Sequence, residues 1–187
     1  MRVIAGSAKS LKLKTLESND TRPTQDRTKE TLFNILSPHL ADCRFIDLFA
    51  GSGGIGIEAL SRGAKSCIFV EQNPLAIQCI EENLAFTKLA DRASVLRGDA
   101  VTLIRQISDD APFDVIFMDP PYNKELEKQV LSQITKTNMV DEYTVVVVEA
   151  SLQTDFSYLD DLGLQIYKKK EYKTNQHVFI EKKTADD

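Results

Sequence analysis

Several things are scarce in this 187-residue chain, and each scarcity removes a class of function. No apolar run approaches the length of a membrane span, and no early charged-then-apolar stretch resembles a secretory leader. The longest apolar run, Thr144-Val145-Val146-Val147-Val148, is short and β-branched, so it reads as a buried central strand. The three cysteines, Cys43, Cys67 and Cys79, have no CxxC spacing. An odd, scattered set points to buried thiols in a reducing compartment and not to a disulfide framework. The two histidines, His39 and His177, stand alone and read as surface or capping residues. Without a histidine–cysteine cluster a metal site is not expected. No repeat or low-complexity linker interrupts the chain. The expectation is therefore a cytoplasmic protein with one domain over 1–187, in which a hairpin and helix (1–40) precede a core (41–183).

What is present begins with Asp119-Pro120-Pro121-Tyr122, where the apolar run Phe113-Asp114-Val115-Ile116-Phe117-Met118 ends. Proline cannot donate to a sheet ladder, so the strand must stop. The segment makes sense as a rigid shelf. Asp119 and the Pro120 carbonyl are fixed acceptors, and Tyr122 has a flat face. Together they suit a planar base with an exocyclic amino group. Upstream, Asp47-Leu48-Phe49-Ala50-Gly51-Ser52-Gly53-Gly54-Ile55-Gly56 reads as strand, glycine loop and helix start. Gly51-x-Gly53-x-x-Gly56 also fits a dinucleotide fingerprint, with Glu71 about 20 residues on. Two features oppose a dehydrogenase. Asp47 would repel a pyrophosphate but suits a cationic amino group, and the Asp119 shelf has no part in hydride transfer.

The strands Ser66-Cys67-Ile68-Phe69-Val70 and Ala93-Ser94-Val95-Leu96-Arg97 run out at Glu71 and Asp99. Four successive strands thus finish on an acid: Asp47, Glu71, Asp99 and Asp119. In an open parallel sheet the strand carboxyl ends line the ligand crevice, so these acids share one site. Leu32, Phe33, Ile35 and Leu36 predict a helix over 24–36, capped by Thr24 or Asp26 and ended by Pro38. A second helix is expected over 74–86. The flanks of a Gly-Ser turn, Arg2-Val3-Ile4-Ala5 and Leu11-Lys12-Leu13-Lys14, predict a small hairpin, and 164–167 with 177–180 a final antiparallel pair. The fold class is α/β, a doubly wound, mostly parallel sheet with a terminal hairpin and an N-terminal extension.

The net charge is -5, but basic residues gather at the two ends of the chain. Lys9, Lys12 and Lys14 lie in an acid-free stretch, and Lys168, Lys169, Lys170 and Lys173 cluster near the other end. Such clusters are needed where a phosphate backbone lands, whatever the overall sign.

On these residues the sequence resembles class I S-adenosylmethionine-dependent methyltransferases. More narrowly it resembles the RsmD family, which methylates the N2 amino group of a guanine in small-subunit ribosomal RNA. The narrower likeness rests on Arg2-Val3-Ile4-Ala5-Gly6, on Arg22-Pro23-Thr24 with Arg27 and Glu30-Thr31-Leu32-Phe33-Asn34, and on Glu58-Ala59-Leu60-Ser61-Arg62-Gly63-Ala64. It departs from the family's Gly-Arg pair at Gly6-Ser7 and from its Tyr-Gly-x-Thr pattern at Tyr172-Lys173. The resemblance implies S-adenosylmethionine as cofactor, no metal, and ribosomal RNA within an assembling small subunit as partner. It implies that Gly51 and Gly53 approach the methionine end and that Asp47 meets its amino group. Glu71 would accept from the ribose hydroxyls and Asp99 from the adenine amino group, with Phe49 and Ala100 beside them. Asp119, Pro120 and Tyr122 would be catalytic, and Arg22 and Arg27 would lie at the pocket entrance. The alternatives are methylation of adenine N6 in DNA, methylation of a protein amide, and an inactive RNA-binding assembly factor.

Overall fold

The computed structural model describes residues 1–16, 23–107 and 111–184, without the side chains of 23–25. Seven strands form one sheet: β1 (Arg44–Asp47), β2 (Ser66–Glu71), β3 (Ala93–Arg97), β4 (Val115–Met118), β5 (Val145–Ser151), β6 (Leu164–Glu171) and β7 (Asn175–Lys182). Their order is β3-β2-β1-β4-β5-β7-β6. The first five are parallel, and β7 runs antiparallel between β5 and β6. Strand order reverses between β1 and β4. The crossovers leave that point in opposite directions, so a crevice opens outside the carboxyl ends of these two strands.

Side-chain alternation divides the core. Phe45, Phe69, Phe117, Val147 and Phe179 face one layer, with Leu32, Phe33 and Leu36 of α1 (Pro23–Leu36), Ile57 and Leu60 of α2 (Gly54–Ser61) and Ile80 of α3 (Pro74–Thr87). Ile46, Val70, Ile116, Met118, Val146, Val148, Val178 and Ile180 face the other, against α4 (Ala100–Ile104) and α5 (Leu126–Ile134). Strands covered on both faces must be apolar at every position, which explains the valine run of β5. All three cysteines are free and buried in this packing.

The helix boundaries lie close to those the sequence implies. α3 is capped by Asn73, whose side chain accepts the Leu75 amide at 2.9 Å. α1 is followed by one 3-10 turn, Ser37–His39, so Pro38 tightens the exit and does not begin a loop at once. Asp26 lies inside the first turn of α1, where it pairs with Arg2 Nε at 2.9 Å. The expected hairpin narrows to a single bridge, Arg2 to Lys12, flanked by Val3 N–H to Leu11 at 2.9 Å and Leu13 N–H to Met1 at 3.0 Å. It is short because this segment spends its other backbone groups on the body of the protein. Ser7 donates to the Ser61 carbonyl at 2.8 Å and Ala8 to Ser61 Oγ at 2.9 Å, while the Lys14 amide donates to Asn83 Oδ1 at 2.8 Å. Among the described residues no helix is long and apolar enough to cross a membrane.

Candidate active site

The glycine loop joins β1 to α2 at the switch point. Gly53, with φ +80°, stands in the left-handed region just before α2, where a side chain would be strained. The residue before the helix supplies no side-chain cap, and within the first turn the Gly56 amide is taken by Asp47. Gly56 serves packing. A Cβ there would lie 2.3 Å from Phe69 Cε1, so α2 approaches β2 more closely than any other residue allows.

Two of the strand-end acids hold this loop. Glu71 Oε2 accepts the Gly51 amide at 2.8 Å, and Oε1 accepts the Gln72 and Asn73 amides, each at 2.8 Å. Asp47 lies beneath the loop, fully buried. Its Oδ2 accepts the Gly56 amide at 3.1 Å, while its Oδ1 is buried with no hydrogen-bond partner among the described residues. Burial, and secondarily the charge of Glu71, pushes the Asp47 carboxyl up to about 7. The Phe49 amide favours the charged form without reaching hydrogen-bond geometry. An orphaned acidic oxygen at this depth is a demand for positive charge.

Beside the loop a small cavity of about 30 Å³ is lined by Phe49, Val70, Glu71, Gly98, Asp99 and Ala100, among others. Asp99 caps α4, its Oδ1 accepting from the Thr102 amide and hydroxyl, both at 2.9 Å. Among the described residues its Oδ2 has no hydrogen bond, so capping leaves one oxygen for a ligand. This crevice suits a nucleoside with a cationic tail. Apolar walls from Leu48, Phe49 and Val70 can flank a base, Glu71 and Asp99 can accept from hydroxyl and amino groups, and Asp47 supplies negative charge beneath.

The Asp119 shelf lies across the switch point, where β4 ends next to β1. Pro120 is buried and Tyr122 is 40% exposed. Asp119 opens onto a cavity of about 350 Å³, whose other walls include Lys29, Ile55, Phe117, Glu149 and Asn175. Its carboxyl is held above the usual carboxylate range, first by the crowding of protein around it, then by Glu149 and Asp47. Solvent still reaches its surface through the open cavity, and that water tempers the rise. The Tyr122 hydroxyl is pushed up to about 12 by burial, Glu149 and Asp119, and it stays protonated at neutral pH.

His177 is not the surface or capping residue its isolation implies. It is 1% exposed, its Nε2 lies 3.0 Å from Glu149 Oε2, and its Nδ1 lies 3.2 Å from the Tyr172 hydroxyl. Phe117 and Tyr172 meet the ring edge-on at 6.3 and 5.1 Å. β7 is antiparallel to β5, so its start lies against the end of β5 and sets Glu149 opposite His177. No sequence spacing links positions 149, 172 and 177; only strand pairing does. His39 is exposed at the end of the 3-10 turn.

Lys29 and Glu58 also escape a sequence reading. Glu58 is fully buried and accepts the Ile4 and Ala5 amides at 2.8 and 3.0 Å. It also pairs with Lys29 Nζ at 3.1 Å and Arg62 Nε at 2.7 Å. The signal, a lone acid inside the apolar α2 segment, is visible only after the helix is known.

The cavity beside Asp119 is bordered by Met1 and, at the start of β7, by Thr174 and Asn175. None of the lysines clustered towards the two chain ends lines it. Lys170 pairs across from His177, and Lys173 lies in the exposed β6–β7 turn, while Lys168 and Lys169 lie further along β6. Lys9 is exposed, Lys12 lines a separate groove with Arg2 and Arg27, and Lys14 pairs with Glu82 on α3. Arg22 lies outside the described residues.

The strand order, the glycine loop at β1 and the shelf after β4 define the class I methyltransferase fold, and comparison with known proteins agrees. The solved structure of a methyltransferase candidate from Escherichia coli, yhhF, superposes with a TM-score of 0.84 at 27% identity, covering 98% of both chains. The chain is 37% identical over 150 residues to ribosomal RNA small subunit methyltransferase D of Haemophilus influenzae, covering 80% of this chain and 78% of the relative. It is 39% identical over 183 residues to a candidate rRNA methyltransferase of Bacillus subtilis, YlbH, covering 91% of this chain and all of the relative. Residues 1–181 match the family described as "Conserved hypothetical protein 95". The chain belongs to that family, the RsmD family of methyltransferases.

Proposed function

We propose that this protein transfers a methyl group from S-adenosylmethionine to the exocyclic N2 amino group of a guanine in small-subunit ribosomal RNA, in a small subunit under assembly in the cytoplasm. The observation that carries the reading is the placement of the Asp119–Pro120 shelf across the switch point from the glycine loop, with a cavity of about 350 Å³ in front of it. The names of the relatives, ribosomal RNA small subunit methyltransferase D among them, support ribosomal RNA as the substrate.

The cofactor supplies a methyl group already activated on a sulfonium. The chain must then align the amino nitrogen and exclude competing geometries, work worth roughly 7–11 kcal/mol. In this reading Asp119 and the Pro120 carbonyl accept the two amino hydrogens and turn the nitrogen lone pair towards the methyl-bearing side. Positive charge grows on nitrogen as the new bond forms, and the Asp119 carboxylate stabilises it. Tyr122 stacks on the base, which leaves its helix or loop to enter the cavity. Glu71 and Asp99 accept from the ribose and adenine of the cofactor, and Asp47 balances its amino group from beneath the loop. Arg27 and the lysines of the two ends steer the phosphate backbone.

The test is methyl incorporation from radiolabelled S-adenosylmethionine into undermethylated small subunits, against large subunits, naked RNA and DNA. The labelled nucleoside is then identified by mass spectrometry. Label in small subunits as N2-methylguanosine is expected. Label recovered as N6-methyladenine, or only in protein, rejects the proposal.

A further inference from the structure

The cavity beside Asp119 holds a second carboxylate for which the alignment of an amino group has no use. Glu149 and Asp119 line the same space, and among the described residues no lysine or arginine pairs with Glu149. Lys29 shares the cavity, but its ammonium is committed to Glu58 and to the Arg2 carbonyl. With no cation between them, Glu149 raises the proton affinity of Asp119, a costly arrangement found where a site must meet hydrogen-bond donors.

Glu149 is also aimed. Asn175 Nδ2 donates to its Oε1, and His177 Nε2 lies 3.0 Å from its Oε2. A carboxylate makes His177 the donor at Nε2, so its Nδ1 accepts from the Tyr172 hydroxyl. That hydroxyl is pushed up to about 12, chiefly by burial, and keeps its proton. Asn175, His177 and the Tyr122 hydroxyl thus engage three of the roughly four acceptor positions of the carboxylate, which leaves one for a ligand. The side chain keeps 20% exposure while His177 behind it has 1%. A carboxylate needed only to satisfy a buried histidine would not have to face the cavity beside Asp119.

The geometry points to Glu149 as the residue that selects guanine, by accepting the ring N1–H of the target base while Asp119 takes the neighbouring amino group. Three nucleobases carry an exocyclic amino group, and guanine alone has a ring N–H beside it. Adenine and cytosine place a bare ring nitrogen there, and its lone pair would face the Glu149 carboxylate. Rejection arises because the wrong base leaves a polar group unpaired in the site, the situation in which hydrogen-bonding sites discriminate most strongly. His177, Asn175 and Tyr172 are positioning residues that hold the carboxylate at the base edge. This assignment rests on the guanine-N2 reading above.

The experiment uses small subunits reconstituted with guanine, 2-aminopurine or 2,6-diaminopurine at the methylated position. Both analogues keep the 2-amino group but have a bare N1, and they differ from each other at position 6. The wild type should prefer guanine over both analogues by on the order of 10²-fold or more in single-turnover rate. Glu149→Ala should lose rate on guanine and narrow the ratio to within about tenfold. Glu149→Gln, which can donate through its amide, should gain on the analogues relative to guanine. Tyr172→Phe should narrow the ratio by a smaller factor. S-adenosylmethionine affinity, read by calorimetry, should stay unchanged in every variant, which also reports that each is folded. An unchanged guanine-to-analogue ratio in Glu149→Gln, with N2 methylation intact in the wild type, overturns the role of Glu149 alone. Absence of N2-methylguanosine from the wild-type reaction overturns the underlying guanine-N2 reading as well.

Discussion

Removing the Glu58 carboxylate should be among the most destabilising single changes in the molecule. Its two oxygens receive the Ile4 and Ala5 amides, Lys29 and Arg62. Exposure is 0% for Glu58 and 4% for the Lys29 side chain, so water cannot replace the lost partner. Arg62, at 13%, keeps some solvent and a stacking contact with Phe33, its guanidinium carbon 5.0 Å from the ring centre. The dominant cost of Glu58→Ala is thus the stranded Lys29 ammonium. Breaking a buried pair in this way costs about 3–5 kcal/mol. For a chain of this length each kcal/mol is roughly 2–4 °C, so the melting temperature should fall by about 6–20 °C. The loss should depend on pH. Lys29 is held below the usual lysine range, because desolvation outweighs its attraction to Glu58. Its folded pKa is lowered, so the unfolded chain binds more protons between that value and about 10.4, and stability rises with pH across the window. Without Glu58 the window extends further down. The deficit of the variant against wild type should therefore shrink as pH rises from about 7 to about 10. Urea denaturation at several pH values measures it, and the double variant Glu58→Gln/Lys29→Met should recover part of the loss. A deficit under about 1 kcal/mol, or one constant across that pH range, would refute the reasoning.

Further expectations concern the site. Glu71→Ala should weaken S-adenosylmethionine binding by about 1.5–3 kcal/mol and also lower apo stability, because three loop amides lose their acceptor. Calorimetry of a folded variant with unaltered affinity would reduce Glu71 to a loop clamp. Asp119→Ala should keep cofactor affinity yet lose on the order of 10²–10³ in single-turnover rate, whereas Tyr122→Phe, which retains the stacking face, should be mild. The Asp119 carboxyl is raised by its surroundings and transfer needs its charged form. The wild-type rate should therefore fall on acidification at a pH above the ordinary carboxylate range, and a rate flat down to that range would contradict the assignment. Replacing Lys168, Lys169, Lys170 and Lys173 should flatten the salt dependence of RNA binding by roughly 0.7–0.9 per lost phosphate contact, with cofactor binding untouched. An identical salt slope would show that these lysines do not meet phosphate.

How much of this was legible beforehand differs between the scaffold and the pocket. Strand-end acids, a glycine loop and apolar runs are local signals, and they locate β1 to β5, α1 and α3 within a few residues. The crevice was readable because parallel strands must end on the same side. The cavity was not. Glu149, Tyr172 and His177 meet only because β7 inserts between β5 and β6, so a strand near the chain end lies next to one drawn from the middle. Glu58 and Lys29 were hidden for a related reason. Each looks like an ordinary helix-surface charge until the N-terminal segment folds over α2 and removes the water. The apparent independence of His177 followed from counting neighbours along the chain when its real neighbours lie across a sheet.

Among the described residues β6 has one neighbour in the sheet, so its other side exposes a row of backbone donors and acceptors. Such a row is an invitation to a strand from another molecule. Lys168, Lys169 and Lys170 all project from it, next to an irregularity in register between Ile166 and Lys168 that breaks the regular ladder. Charge and irregularity together keep the edge single. The residues assigned to a nucleic-acid partner therefore also act as guards against self-association. Exchanging them for threonine or valine would remove the charge and leave the irregularity alone to guard a β-branched edge. Exchanging them for glutamate would take away the attraction to phosphate and still leave a charged border that other strands avoid.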